Sequence, residues 1–481
     1  MLTEPELVAG LQEILGGEAV LHGPAIRRAY DCDAYTVDKS APAVVALPTS
    51  TDEVAQIVRW CNRFEVAFTA RGAGTGLSGG ALAATGGIII SMKKMTAILN
   101  IDPANRCLLA QAGAVNRKIS EAVAHLGLHF APDPSSQYVS TLGGNISENS
   151  GGPHTLKYGV TAPHILGLTM VSPEGEILTF GGKLGQPAGF DFLGILVGAE
   201  GTMGIVTEAW VKLTPIPTGV ATGLATFDNI RGATEAVSAI IASGLTPSAL
   251  EMMDHGILGA LKAAFGFESE PGAAALLLIE CDSDVPENGP AIANAELDAV
   301  QRICQAQGAI AFRIAQTETE RQELWTARKK GIGAMGRLAP TIVTHDGVIP
   351  RSKLPEMLDF VYETAAQAGI GVANLFHAGD GNLHPCFYFD DRDQSQVDRA
   401  IHAGEEIMRK CIELGGSVTG EHGIGVEKQD LMSEMFTAED LALQAKIKEI
   451  FNPGTLCNPC KVLPNQKGCV EHKKRWRGAA W

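Results

Sequence analysis

Ten residues near the start of the chain, Arg71-Gly72-Ala73-Gly74-Thr75-Gly76-Leu77-Ser78-Gly79-Gly80, follow an apolar run at 66–70 that reads as a buried strand. Glycine at this density lets successive backbone N–H groups turn toward one concavity, a nest that binds phosphate without a cationic side chain. What comes next constrains the fold further. Gly74, Gly76 and Gly79 form a G-x-G-x-x-G match, which marks a doubly wound dinucleotide fold only if a helix opens directly after the last glycine. Here residues 81–87 lead instead into Ile88-Ile89-Ile90, a second strand, with no room for a helix. A bare surface loop fits worse still, because so much glycine costs chain entropy that a ligand contact has to offset.

A chain of 481 residues exceeds one ordinary core and predicts two or three domains. Residues 40–215 alternate strand-like runs (44–47, 66–69, 88–91, 108–113) with helical ones: 51–62, capped by Thr51, and 116–126. Residues 1–15 read as an amphipathic helix with Leu2, Leu7, Val8, Leu11 and Leu15 on one side. Two further connections, 141–152 and 198–206, are nearly all small residues and suggest close approach to an extended ligand. A boundary falls at Pro215-Ile216-Pro217-Thr218, after which residues 273–279 read as a strand and 296–307 and 354–368 as helices.

The net charge of −16 excludes general nucleic-acid affinity. No apolar run is long enough to span a bilayer and no export signal is apparent, so a cytoplasmic protein is expected, its ten cysteines free thiols. Cys457-Asn458-Pro459-Cys460, with Cys469 and His472 beyond, lacks a second CxxC and is read as structural rather than metal-binding. Residues 467–481 form a basic tail containing Trp476 and Trp481, read as a solvated terminus.

The densest chemistry lies in Asn374-Leu375-Phe376-His377-Ala378-Gly379-Asp380-Gly381-Asn382-Leu383-His384-Pro385. With Asp380-Gly381 as a two-residue turn, His377 pairs with His384 and both imidazoles face one side, about 5 Å apart at Cβ. Two readings stand on spacing alone: joint ligation of a divalent metal, or hydrogen-bonded structural histidines in a hairpin. Glu421-His422 offers a third ligand, the neighbour being left for substrate, since adjacent side chains of an extended segment point opposite ways. Arg328, after Trp325, is either a fork onto a substrate carboxylate or a surface arginine.

These segments together resemble the FAD-binding family that includes vanillyl-alcohol oxidase and the D-2-hydroxy-acid dehydrogenases. The resemblance rests on residues 71–78, on Ala131-Pro132-Asp133-Pro134-Ser135-Ser136, on Gly143-Gly144-Asn145-Ile146-Ser147-Glu148-Asn149-Ser150-Gly151-Gly152, and on Gly198-Ala199-Glu200-Gly201-Thr202-Met203-Gly204-Ile205. Asp346-Gly347-Val348-Ile349-Pro350-Arg351 and the C-terminal half look most like the flavin subunits of bacterial glycolate oxidases.

The resemblance implies an α+β protein: a helical lead-in (1–39), a vanillyl-alcohol-oxidase-type FAD domain (40–217), an α+β substrate or cap domain (218–450), a return to the FAD domain (451–466) and the tail (467–481). FAD is expected to be noncovalent, the loop having no histidine. Its residues are Arg71, Gly72, Ala73, Gly74, Thr75, Gly76, Leu77, Ser78, Pro132, Asp133, Ser140, Gly143, Gly144, Asn145, Asn149, Gly151, Gly204, Ile205 and Asn458. His377, His384 and Glu421 are implied ligands of Zn, Mn or Fe, His422 the base, Asn382 a substrate contact and Arg328 the carboxylate fork. Lys329-Lys330-Gly331-Ile332 departs from the pattern that holds a second carboxylate, which favours glycolate or D-lactate over a five-carbon diacid. No cysteine set suits an iron–sulfur cluster, so partner subunits carrying an FAD domain and iron–sulfur centres are implied, with peripheral membrane association through them. Rival readings are a D-2-hydroxyglutarate-type dehydrogenase, an FAD-binding scaffold subunit, an alkyl-transferring flavoenzyme and a metal-dependent hydrolase.

Overall fold

The computed structural model describes residues 2–464, so the basic tail, Cys469 and His472 lie outside the described residues. The chain forms two compact units. The first takes Met1–Ser150, Val160–Thr214 and a third segment beginning at Glu421; the second takes Gly151–Gly159 and Pro215–Gly420. The outward crossing coincides with the proline stretch at 215–218. The return comes at Glu421 rather than at 451, and residues 151–159 belong to the second unit.

In the first unit, strands Val20–Leu21, Val44–Ala46, Ile88–Ser91 and Phe68–Arg71 lie side by side in that order. The last three are parallel, and residues 72–87 link two of them without a helix. Helix Thr51–Arg63 buries Val54, Ile57, Val58 and Cys61 in one core with Phe68, Ile88, Ile90 and Ile205, each such aliphatic side chain contributing about 1.5–3 kcal/mol. Its cap is Ser50, whose side chain accepts from Glu53 N, one residue ahead of the expected Thr51. A second sheet, of five antiparallel strands, runs Ile98–Asp102, Cys107–Gln111, Ile205–Lys212, Ile165–Val171, Ile177–Gly181. The small-residue stretch at 141–152 is not all connection: it holds helix Leu142–Glu148, capped by Thr141. Leu142 and Ile146, four apart and both buried, give it the apolar stripe that the glycines obscure in sequence.

The second unit is built on a nine-stranded antiparallel sheet. Its main path runs Ala309–Ile314, Gly219–Phe227, Ala275–Ser283, Ala249–Asp254, Gly371–His377, Asn382–Leu383, Gly347–Val348, with Pro385–Phe389 and Thr341–Thr344 branching from Gly371–His377. Glu280 in this sheet anchors residues 151–159 through His154 Nε2, 3.1 Å away, and also accepts from Trp325 Nε1 at 2.6 Å, Thr222 Oγ1 at 2.8 Å and Arg321 Nη1 at 3.2 Å. Burial raises the Glu280 carboxyl, but His154, Trp325 and Arg321 outweigh it and hold the pKa at about 2.

The cysteines depart from the expectation of free thiols throughout. Among the described residues eight are free, the buried Cys457 among them, but Cys460 is disulfide-bonded, so the CxxC pair is not closed on itself.

Candidate cofactor and substrate sites

In the first unit the glycine loop is shaped by close approach. A Cβ at Gly72 would lie 2.2 Å from Thr141 Oγ1, and one at Gly74, which sits at φ +71°, would lie 2.2 Å from Arg71 Nη2. Arg71 is buried, its guanidinium 5.3 Å over the Tyr30 ring. Asn458 Nδ2 donates to the carbonyls of Gly80 and Glu200, joining the loop, the 198–205 motif and the C-terminal segment. Gly143 packs on Ala112, and Gly204, at φ +135°, on the Val171 carbonyl. Asn116 Nδ2 donates to Pro132 O. Asn149, in a left-handed conformation, ends the short helix, and its Oδ1 accepts from Ala162 N. The Ile205 side chain serves the core, and Gly151 falls in the second unit.

Arg71 Nη1, Ser140 Oγ, Asn145 Nδ2 and Asn458 Oδ1 are all buried without a hydrogen-bond partner among the described residues. Each such orphan costs about 1–3 kcal/mol. All four belong to residues expected to hold FAD, and guanidinium, amide and hydroxyl groups suit a pyrophosphate and its sugars. The residues present therefore fit the cofactor.

Two acids here had escaped the sequence reading. Glu200 accepts from Ile424 N and Gly425 N, both at 2.7 Å. Ser78, at the end of the glycine loop, donates through Oγ to His422 O at 2.9 Å, and its carbonyl accepts from Val426 N. Residues 421–426 are thus laid along the loop, which explains why the return begins at Glu421. Glu148 Oε2 is shielded from solvent, and burial, then the neighbouring Glu200, pushes that carboxyl well up. The signal was an acid among small residues, in Gly198-Ala199-Glu200-Gly201.

In the second unit the His377 and His384 rings meet edge to face, centroids 5.2 Å apart. The expected register is wrong, however: His377 pairs with Asn382, across a four-residue turn. Asp380 Oδ1 accepts from Asn382 N, Gly379 N reaches out to Leu250 O, and Ile349 N binds Gly381 O, which together open the turn. The strand then breaks at His384: Asn382–Leu383 pairs with Gly347–Val348, and Pro385–Phe389 returns to residues 371–374. The rings converge because of that break. Ligand atoms of His377 and His384 lie within 4.8 Å of each other, as do those of Asp346 and His384.

Each imidazole is oriented through Nδ1. His384 Nδ1 is 3.3 Å from His345 O, and His377 Nδ1 is 2.7 Å from Glu251 Oε1. Glu251, fully buried, is the main residue missed here. Its Oε2 accepts from Arg328 Nε at 2.7 Å and Nη2 at 2.5 Å. Burial raises the Glu251 carboxyl, but Arg328 and then His377 hold it below the ordinary range. Arg328 is accordingly no surface residue, being 4% exposed. Glu251 occupies its Nε–Nη2 edge, so a second carboxylate would meet the Nη1–Nη2 edge. Asn382 is buried and its Oδ1 has no partner among the described residues. Lys329 and Lys330 lie over the rings of Trp325 and Phe265. Asp346 Oδ2 accepts from Thr419 Oγ1 and Gly420 N, which fixes the backbone that leads directly into Glu421 and His422.

Residues 216–462 match the family model described as FAD linked oxidases, C-terminal domain, and residues 42–181 match the FAD binding domain. The chain is 39% identical to the glycolate oxidase subunit GlcD of Escherichia coli K12 over 468 residues, 97% of this chain and 92% of that one. It is 30% identical to the D-lactate dehydrogenase of Anaerostipes hadrus over 467 residues, 95% of this chain and 97% of the other. In fold it is similar to the 4-ethylphenol oxidase from Gulosibacter chungangensis, with a TM-score of 0.78 at 17% identity, covering 96% of this chain and 97% of that one.

Proposed function

The chain belongs to the FAD-linked oxidase family, with the vanillyl-alcohol-oxidase type of fold, and we propose that it oxidises a small 2-hydroxy acid, glycolate or D-lactate, to the 2-oxo acid. The observation that carries this reading is the buried set of the second unit, a guanidinium edge and two imidazoles organised by one carboxylate. Such a set suits a molecule with a carboxylate beside a hydroxyl. The relatives named glycolate oxidase subunit and D-lactate dehydrogenase act on acids of that kind.

FAD, when bound by the first unit, supplies a two-electron acceptor. A divalent metal (Zn, Mn or Fe), when held by His377, His384 and Glu421, supplies Lewis acidity toward the hydroxyl. The chain's own residues do the rest. Arg328 takes the substrate carboxylate in a fork, which fixes C1 and therefore the direction of the C2–H bond. Asn382 meets the substrate with its unpartnered amide oxygen. His422 takes the hydroxyl proton as C2 gives up its hydride. Its main chain is held by Ser78 Oγ, which donates to the His422 carbonyl. With Lys329 and Lys330 both lying over aromatic rings, the stretch after Arg328 favours a monocarboxylic acid.

Among the described residues no helix is long and apolar enough to cross a membrane. The likeness to GlcD supports a role as the flavin subunit of a larger assembly, its electrons leaving through an iron–sulfur partner.

Anaerobic titration of the FAD-loaded protein with glycolate, D-lactate, L-lactate and D-2-hydroxyglutarate tests the reading. Bleaching of the flavin absorbance by glycolate or D-lactate is expected. Bleaching by D-2-hydroxyglutarate alone, or by none of the four, would sink it.

A further inference from the structure

Strand Ala249–Asp254 is buried at all six positions, and Glu251 is the acid in its middle. Placing a carboxylate there costs several kcal/mol of desolvation unless it is fully paired. Its pairing is complete and divided: Oε1 to the His377 imidazole, Oε2 to the Arg328 guanidinium. Backbone register explains the first contact, since Glu251 and His377 are direct partners on adjacent antiparallel strands, with Cβ atoms about 4.5–5.5 Å apart. Arg328 comes from helix Glu318–Ala334. A carboxylate held at both oxygens by groups on two different elements has one orientation, and it transmits that orientation to both partners.

We propose that Glu251 is a positioning residue linking the metal ligand His377 to the carboxylate-binding Arg328, so that both halves of the substrate site depend on one side chain. This rests on the roles given to His377 and Arg328 above. By accepting at Nδ1, Glu251 selects the tautomer whose Nε2 lone pair points away from it, the form a metal requires. By accepting from Nε and Nη2, it turns the opposite guanidinium edge toward substrate. Glu251→Gln preserves shape but cannot serve both partners: its amide end must face either the guanidinium or the imidazole N–H, both donors, so one contact is lost.

The test uses the full-length, FAD-loaded protein stripped of divalent metal. Zn2+ is titrated against a chromophoric chelator. Propionate, a carboxylate with no oxidisable hydroxyl, is titrated separately through its perturbation of the flavin spectrum. In Glu251→Gln, Zn2+ affinity is expected to fall about 10–100-fold and propionate affinity roughly tenfold, as for one weakened charge-assisted hydrogen bond, with FAD content unchanged. Glu251→Asp, which keeps the charge, should weaken both less, and it becomes the deciding variant if the glutamine protein does not hold FAD. Wild-type Zn2+ affinity in the variants overturns the proposal. So does loss of Zn2+ affinity with propionate binding intact, because the link would then be absent. A wild-type protein that binds no Zn2+ overturns the metal reading and this inference together, whereas the first two outcomes leave that reading standing.

Discussion

The imidazole cluster of the second unit is buried and the glycine loop of the first only partly so, and the two are made of opposite parts. At Gly72 and Gly74 the working surface is bare backbone, and the nearest side chains, Thr141 and Arg71, are close enough to leave no room for a Cβ. At His377 the working surface is side chain, and its orientation is set by Glu251, 126 residues earlier. A site of consecutive N–H groups is written in consecutive residues. A site of converging side chains is written wherever the sheet happens to bring strands together. The two should therefore fail separately: side-chain changes in the chemical set should stop turnover and spare FAD, and backbone changes in the loop should do the reverse.

The largest expected effect is from His422→Asn. Substrate-driven flavin reduction, followed anaerobically by stopped flow, should slow by about 10²–10⁴-fold. FAD should stay bound, because the His422 carbonyl that accepts from Ser78 Oγ in the glycine loop is kept in the variant. Reduction within tenfold of wild type would remove His422 from the base role. Loss of FAD would mean that the ring belongs to the backbone-built site, and the contrast between the two sites would blur.

The same contrast explains what was legible in the sequence. The loop, the absence of a helix after it and the proline crossing at 215 were readable because each is a local property of the chain. Helix Leu142–Glu148 was hidden by its glycines, since its two buried side chains amount to one turn's worth of pattern. The nearness of His377 and His384 was readable, but the reason for it was not. An Asx-type bond at Asp380 and contacts to Leu250 and Ile349 open the turn, and nothing local predicts those partners. Glu251 was not singled out, although a lone acid in Ala249-Leu250-Glu251-Met252-Met253 was the available signal. Glu280, in the apolar run 275–283, offered the same one. Arg328 was left undecided between surface and site because its partner lies 77 residues away.

A second contrast separates the units by acid response, and it is smaller. Glu280 has its folded pKa held at about 2, against an ordinary 4.5. Its ionised form is favoured by folding, so it stabilises the second unit at neutral pH and that contribution is lost as pH falls from about 4.5 toward 2. The upper bound is about 3 kcal/mol. Asp33, in the first unit, goes the other way: burial raises it from 3.8 to about 6. Folding there favours the protonated form, so stability is gained as pH falls from about 6 toward 4, by a similar amount. Urea unfolding across this pH range should show the low-pH loss flattened in Glu280→Gln and the gain near pH 5 flattened in Asp33→Asn. Unchanged pH profiles in both variants would mean that neither acid carries the linkage.

The smallest expected effect is the sharpest for the backbone half of the comparison. Gly74→Ala puts a Cβ at φ +71°, costing about 1–2 kcal/mol in the left-handed region. That Cβ would also lie 2.2 Å from Arg71 Nη2, so the guanidinium must leave its seat over Tyr30. Arg71 then no longer presents Nη1 where the cofactor phosphate is expected. The ratio of flavin to protein absorbance should drop and the thermal midpoint should fall by a few degrees, while Zn2+ binding stays at the wild-type level. A Gly74→Ala protein with full FAD content would show that the loop's conformation is not what holds the cofactor. The buried partnerless groups of Ser140, Asn145 and Asn458 would then have to account for its binding through side chains, and the two sites would be of one kind after all.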